Sequence, residues 1–231
     1  MPGPADNARV NDDLIKRLAA LDTCAVSDAL DHLGVPGATT GIRPMWPGCP
    51  RIAGRARTVQ VADAASIPGG GRHMATTTVA AATAGDVIVI ANRGRTDVSC
   101  WGDIIANAAQ VNGVAGTVVD GACRDVDAVE AIGYPVWARA AVPVTARGRI
   151  ADAASDVPVA FAGLLVHPGD LVLADGSGVV FLPSGQAAEI VEAAERLAAR
   201  QEAMIAAIRS GASVVEVMAD ERFRSALGGN P

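Results

Sequence analysis

Leu14, Leu18 and Leu21 recur at the spacing of one helical face, so NDDLIKRLAAL (11–21) predicts a helix with Asn11 or Asp12 as its cap. VSDALDHLG (26–34) repeats the pattern, with Ser27 at the N-cap and Gly34 as the stop. The pattern then changes period. GRARTVQVAD (54–63) alternates polar and apolar residues like a half-exposed strand, which places Arg55 and Arg57, with Arg51 before them, on the solvent side. SIPGGGRHMATTTVAAATAGD (66–86) reads as a Gly-rich loop followed by an Ala/Thr helix.

From there the chain alternates. DVIVIAN (86–92) predicts a buried strand, GRTDVSC a loop, WGDIIANAAQVNG (101–113) a helix and AGTVVDG (115–121) the next strand. DVDAVEAIG (125–133) predicts a helix and PVWARA (135–140) a strand. Two short strands around a Gly/Ser turn follow in HPGDLVLADGSGVVFLP (167–183), then one long helix over 184–211 and a shorter one near 213–227. The pattern is that of an α/β protein with one domain over 1–231, a core at about 14–183 and a C-terminal helical segment at about 184–227. Right-handed crossovers in the central strand–helix–strand–helix–strand unit bring strand C-termini and helix N-termini to one edge. In open α/β sheets that edge binds ligands, because free N–H groups and helix dipoles favour anions there.

Composition narrows the function classes. The 231 residues are 50% hydrophobic but only 3% aromatic, so the core is expected to be Ala, Val, Leu and Ile. A net charge of −6 argues against nucleic-acid capture, which needs clustered Lys and Arg. Cys24, Cys49, Cys100 and Cys123 show no C-x-x-C pairing and read as free thiols of a cytoplasmic protein. No secretory signal is visible, and no apolar stretch is long enough for a membrane span.

Two features fall on the ligand edge. In WGDIIANAA, Gly102 permits close approach, and Asp103, Ile104 and Ile105 offer a carboxylate and first-turn amides. In VVDGACRD (118–125), Arg124 and Asp125 stand side by side where the next helix begins. Asp103 and Asp125 also read as ordinary first-turn acids favoured by the helix dipole. Arg124 opposes that dipole, so an anion must compensate it, either Asp120 or a ligand. Two carboxylates, one guanidinium and free amides suit a divalent metal plus a small carboxylic acid.

Other candidates carry less. The PGGG loop (68–71) lacks both the Lys-Ser/Thr of a P-loop and the spaced glycines of a dinucleotide fingerprint, which leaves a lid or a plain turn. His32, His73 and His167 share no metal-ligand spacing; His32 and His167 read as structural, and His73, beside the loop, stays open. Cys123 lacks a neighbouring base and reads as a packed small residue, and Asp175 as a turn former.

The run WGDIIANAAQVNGVAGTVVDGACRDVDAVEAIGYPVWARA resembles the signature of the RraA-like family, which includes 4-hydroxy-4-methyl-2-oxoglutarate/4-carboxy-4-hydroxy-2-oxoadipate aldolases and regulators of ribonuclease activity. LDTCAVSDALDHLG (21–34), TAGDVIVIAN (83–92) and VHPGDLVLADGSGVVFLP (166–183) extend the resemblance over most of residues 14–210. It implies an α/β/β/α layered fold with a long C-terminal helix, assembled as a trimer or hexamer. It also implies Asp125 as the direct metal ligand, Arg124 as the clamp on the substrate carboxylate, and amides around Gly102, Asp103, Ile104 and Ile105 completing the carboxylate pocket. Asp103 would hold a metal-bound water, and a Glu from a neighbouring subunit's C-terminal helix would face it; Glu202 matches best and Glu195 second, and a solvated helix face fits both as well.

The resemblance thus implies a class II aldolase, dependent on Mg²⁺ or Mn²⁺, that cleaves a 4-hydroxy-2-oxo acid to pyruvate and decarboxylates oxaloacetate as a side activity. Independently of it, Lys16 is the only lysine and sits in an N-terminal helix, which speaks against a Schiff-base aldolase. The competing class is a non-catalytic regulator that binds a ribonuclease or helicase, because fold does not fix function. A quinone methyltransferase finds no glycine motif with a following ribose-binding acid.

Overall fold

A computed structural model describes residues 4–70 and 72–219. The chain begins with α1 (Pro4–Ala20), α2 (Thr23–His32), β1 (Arg43–Pro44) and β2 (Ile52–Asp63). The central unit is α3 (Thr76–Ala81), β3 (Asp86–Trp101), α4 (Asp103–Val111), β4 (Gly116–Cys123), α5 (Val126–Ala131), β5 (Val136–Ala138) and β6 (Ala140–Ala141). It is followed by β7 (Ile150–Ser155), β8 (Val159–Phe161), β9 (Leu164–Val166), β10 (Leu171–Ala174) and β11 (Val179–Leu182). The helices α6 (Ala187–Arg209) and α7 (Val214–Ala219) end the described chain.

The main sheet runs β1-β5-β4-β3-β2-β10-β11, with β6 and β7 attached to β4 and β2. β2, β3, β4 and β5 are mutually parallel, as the crossovers require. The sheet curls until it nearly closes. Residues 37–44 bridge the gap: Phe181 N–H donates to Gly37 O (2.8 Å), Thr39 N–H to Val179 O (3.1 Å), and Arg43 pairs with Ala138.

Period-two alternation sorts each strand between two surfaces. Ile52, Ala56, Val87, Val89, Val118, Trp137, Val172, Val179 and Phe181 meet inside the barrel, joined by Val159, Phe161 and Val166 from the β8–β9 hairpin. The intervening residues face outward. On one side Val59, Ile88, Ile90, Val119 and Val136 pack with Ala106, Ala109 and Val129 of α4 and α5. On the other, Leu171, Leu173, Val180 and Leu182 pack with Leu18, Val26, Leu30, Ile190 and Val191 of α1, α2 and α6. This gives the expected α/β/β/α order of layers, with the long C-terminal helix in the second helical layer.

Several local expectations change. α1 begins at Pro4, so Asn11 and Asp12 lie within it rather than capping it. The N-cap of α2 is Asp22, not Ser27, and its carboxylate accepts from Ala25 N–H at 2.8 Å. GRTDVSC is strand rather than loop: β3 continues to Trp101 beside β4 through three register shifts, after a kink at Arg93 and Gly94, both at positive φ. Polar side chains hid this extension. The strands β1, β7, β8 and β9 carried no clear alternating signal. The second C-terminal helix is described to Ala219, and the rest of its expected span lies outside the described residues.

Asp175 does shape its turn, and it also ties that turn to α2. Its buried carboxylate accepts from Thr23 N–H (2.8 Å), Thr23 Oγ1 (2.7 Å) and Ser177 N–H (2.9 Å). Burial pushes its pKa up, but these bonds outweigh burial and hold it below the ordinary 3.8. Asp175→Ala is expected to cost about 2–3 kcal/mol of unfolding free energy near neutral pH. A depressed pKa gives stability that is present above the unfolded value and lost as pH falls through the folded one. The urea-midpoint gap between wild type and variant is therefore expected to narrow in acid.

Candidate active site

The parallel pairing of β3 and β4 ends with Trp101 opposite Cys123, and Arg124 N–H donates to Trp101 O at 2.9 Å. The chain after each strand turns at once into a helix, so the start of α4 lies beside the start of α5. Gly102 sits between them. A Cβ there would lie 2.8 Å from Asp125 Oδ2 and 3.0 Å from Arg124 Cγ, so a side chain at this position would push the Arg124–Asp125 pair aside.

Asp125 caps α5 with backbone angles of 56° and 38°, a left-handed conformation that Asp and Asn tolerate better than most residues. The Arg124 Nε–H donates to both oxygens of Asp125 (3.2 and 3.0 Å). Asp103 N–H points to Asp125 Oδ2 at 3.5 Å, while Asp103 Oδ1 accepts from Ile104 N–H at 2.7 Å. The first backbone bond of α4 runs from Ala106 N–H to Gly102 O (3.1 Å), so the amides of residues 103–105 precede the helical ladder. Asp120 is not the counter-ion of Arg124. It is buried, pairs with Arg139 and accepts from Ala162 N–H at 3.1 Å.

Gly102, Asp103, Ile104, Ile105, Arg124 and Asp125 line one cavity of about 270 Å³. His73 and Met74 come from the loop before α3, and Thr145, Ala146 and Arg147 from the turn before β7. Glu202 lies elsewhere, in a groove with Ile205, Ala206, Arg209 and Ser210, and Glu195 is paired with Arg17 (2.7 Å). Within one chain, neither glutamate joins the cavity.

Among the described residues no three His, Cys, Asp or Glu side chains cluster as metal ligands. The donors present still fit one kind of ion. A Mg²⁺ or Mn²⁺ that keeps several waters needs only one or two carboxylates, and Asp125 with Asp103 nearby supplies that all-oxygen set. Cys123 is buried, and burial pushes its thiol up to about 12, which suits packing rather than ligation.

A family model described as "RraA-like: Aldolase/RraA" matches residues 23–181. The chain belongs to the RraA-like family. A relative from Halalkalibacterium halodurans, named "Putative 4-hydroxy-4-methyl-2-oxoglutarate aldolase", is 35% identical over 200 residues, covering 85% of this chain and 89% of that protein. DlpA of Legionella pneumophila is 31% identical over 95% of this chain but 36% of its own length, so the chain spans about a third of DlpA. The structure is similar to that of an uncharacterized protein from Pseudomonas syringae (TM-score 0.80, 36% identity, 90% of this chain and 97% of that one). It also resembles Streptomyces coelicolor RraAS2, described as an unusual member of an RNase ES inhibitor family (TM-score 0.74, 30% identity, 82% and 94% of the two chains).

The cavity has a support that the sequence did not reveal. The buried Asp152 of β7 accepts from Ala75 N–H through both oxygens (3.0 and 2.9 Å), and Asp152 N–H donates to Arg72 O (3.3 Å). This latches the His73–Met74 wall to the sheet. Burial pushes the Asp152 carboxyl up to about 6, against the opposing pull of the Ala75 amide, Arg72 and His73. Only its position in an unrecognised strand, IADAAS, could have flagged it.

The unfolded chain releases this proton near the ordinary value of 3.8, whereas the folded chain keeps it to about 6. Stability from this group is therefore full below 3.8 and is lost as pH rises through about 6. Asp152→Asn is expected to flatten that slope and to gain on the wild type by roughly 1–3 kcal/mol near pH 8. Urea midpoints measured across the acid range check this, and parallel profiles for the two proteins would contradict it.

Proposed function

We propose that the chain is a divalent-metal-dependent aldolase that cleaves a 4-hydroxy-2-oxo acid, such as 4-hydroxy-4-methyl-2-oxoglutarate, to pyruvate and a second keto acid. Oxaloacetate decarboxylation is the expected side activity, because it leaves the same pyruvate enolate. The observation that carries this reading is the meeting of Arg124, Asp125, Asp103 and the first-turn amides of α4 in one cavity. The curated relatives named as aldolases support it.

In this reading the Arg124 guanidinium holds the substrate carboxylate, and the amides of residues 103–105 bind the same group from the other side. The bound acid is thereby held by its carboxylate end beside Asp103. When the C4 hydroxyl loses its proton to a water held by Asp103, the C3–C4 bond breaks, its electron pair moves to C3, and C4 becomes a carbonyl. The enolate of the pyruvate half then takes a proton at C3. A Mg²⁺ or Mn²⁺ ion held by Asp125 would supply Lewis-acid stabilisation of the enolate charge. Lys16, the only lysine, is exposed on α1 and does not line the cavity, so no Schiff-base nucleophile is at hand.

A homo-oligomer, trimer or hexamer, is part of the same proposal. Ile104, at the site, and Val111, at the other end of α4, are 84% and 86% exposed, a cost that burial against a second copy would remove. Glu202 can then assist proton transfer only from a neighbouring copy. The alternative is a non-catalytic regulator that binds a ribonuclease or helicase; it draws on the description of the Streptomyces relative and has no use for the cavity.

Pyruvate release from oxaloacetate and from 4-hydroxy-4-methyl-2-oxoglutarate, with and without Mg²⁺, tests the proposal. Asp125→Ala is expected to lower the rate by about two orders of magnitude or more while the protein stays folded. Arg124→Lys keeps the charge but loses the fork, so both kcat and KM should suffer, and Arg124→Ala should lose at least ~2 kcal/mol in kcat/KM. Metal affinity of the free Arg124→Ala protein should not fall, since removing a neighbouring cation cannot weaken cation binding electrostatically. Wild-type protein that releases no pyruvate with Mg²⁺ present would favour the regulator.

A further inference from the structure

We propose that His73 is the acid that delivers a proton to C3 of the pyruvate enolate. The proposal rests on the aldolase reading, which needs two proton transfers. The C4 hydroxyl gives its proton to the water held by Asp103, and C3 must then be protonated before pyruvate leaves. The cavity of one chain offers few groups for the second transfer. An arginine does not give up its proton, so Arg124 and Arg147 bind charge but supply no hydrogen. Cys100 lines the cavity, but burial pushes its thiol up to about 12, and losing the proton would leave a buried thiolate. Asp125 is engaged by Arg124, and Asp103 serves the first transfer. Of the ionisable side chains in the lining that leaves His73, whose imidazole donates from one nitrogen and accepts at the other.

The placement of His73 suits an acid that must be recharged. The residue is exposed, so solvent restores the proton it gives, and among the described residues its imidazole has no hydrogen bond or ion pair for the transfer to break. The backbone beneath it is fixed. His73 O accepts from Thr76 Oγ1 (2.9 Å) and Thr76 N–H (3.4 Å). On its two sides Arg72 O accepts from Asp152 N–H, and Ala75 N–H is held by both Asp152 oxygens. Met74 is buried in the core under α3 to α5. Only the imidazole itself remains to be ordered when substrate binds. In the step the C2 oxyanion reforms its carbonyl, and the C2–C3 electron pair takes a proton from the cationic ring at C3. The ring, now neutral, regains a proton from solvent. His73 and Asp103 lie on different segments of the lining, so the two transfers have separate partners.

The reverse of this step needs no second keto acid and is open to direct measurement. The full chain, with pyruvate and Mg²⁺ in deuterium oxide, should exchange the pyruvate methyl hydrogens faster than Mg²⁺ alone, read from the methyl proton resonance. His73→Ala is expected to slow that exchange by about two orders of magnitude. Calorimetric titration with pyruvate and Mg²⁺ should show its affinity nearly unchanged. Free imidazole added to His73→Ala should restore part of the rate, an effect that a purely structural role would not produce. Exchange at the wild-type rate in His73→Ala overturns the proposal, as does a loss that imidazole does not restore; in both cases the aldolase reading survives. It also survives, without the proposal, if wild type releases pyruvate from 4-hydroxy-4-methyl-2-oxoglutarate but exchanges no methyl hydrogen. Wild type that does neither sinks both.

Discussion

The lateral pairing of β3 with β4 is the constraint on which the site depends. It brings Trp101 opposite Cys123, so two separate strand-to-helix turns arrive side by side, and the Arg124 N–H to Trp101 O bond fixes their offset. Gly102 then leaves room for the Arg124–Asp125 pair, which a side chain at 102 would displace. The guanidinium and the carboxylate are neighbours in sequence, but they become useful only because the other turn places its amides across from them. Arg124 and Asp125 also compensate each other without a ligand, which answers how a cation can stand at a helix N-terminus that repels it.

The helices and barrel support this arrangement from both sides. Outward-facing Val and Ile of β3 and β4 seat α4 and α5, and inward-facing Val87, Val89 and Val118 fill the barrel behind them. The left-handed backbone of Asp125 is a local strain that this packing holds in place. Asp152 plays a similar part on the far wall, where a buried carboxylate fixes the loop bearing His73 by gripping one amide.

Much of this was legible in the sequence, for identifiable reasons. DVIVIAN and GTVVDG are buried on both faces and read as strands by their unbroken apolar content. ACRD stood out because an arginine at a helix start opposes the dipole that acids alone would satisfy, and WGDII because its glycine and acid fall on the same edge. What escaped notice depended on distant partners. The polar run after Asn92 is strand only because β4 and Val144 accept it as one. Asp22 displaced Ser27 as a cap because Asp175, more than a hundred residues away, holds Thr23. Asp152 belongs to a segment with no periodic signature, and its role follows from where the chain returns to the cavity.

The near-closure of the sheet by residues 37–44 has a consequence for assembly. A sheet that opens at both margins offers rows of unpaired amides to any passing strand and so invites strand exchange or fibrillar stacking. Here the margin at β11 is occupied by Gly37–Thr39 and that at β5 by Arg43–Pro44. Strand addition is closed off at those margins. Contact between copies there must use helices and loops, surfaces that can evolve new neighbours without disturbing the barrel's hydrogen bonds.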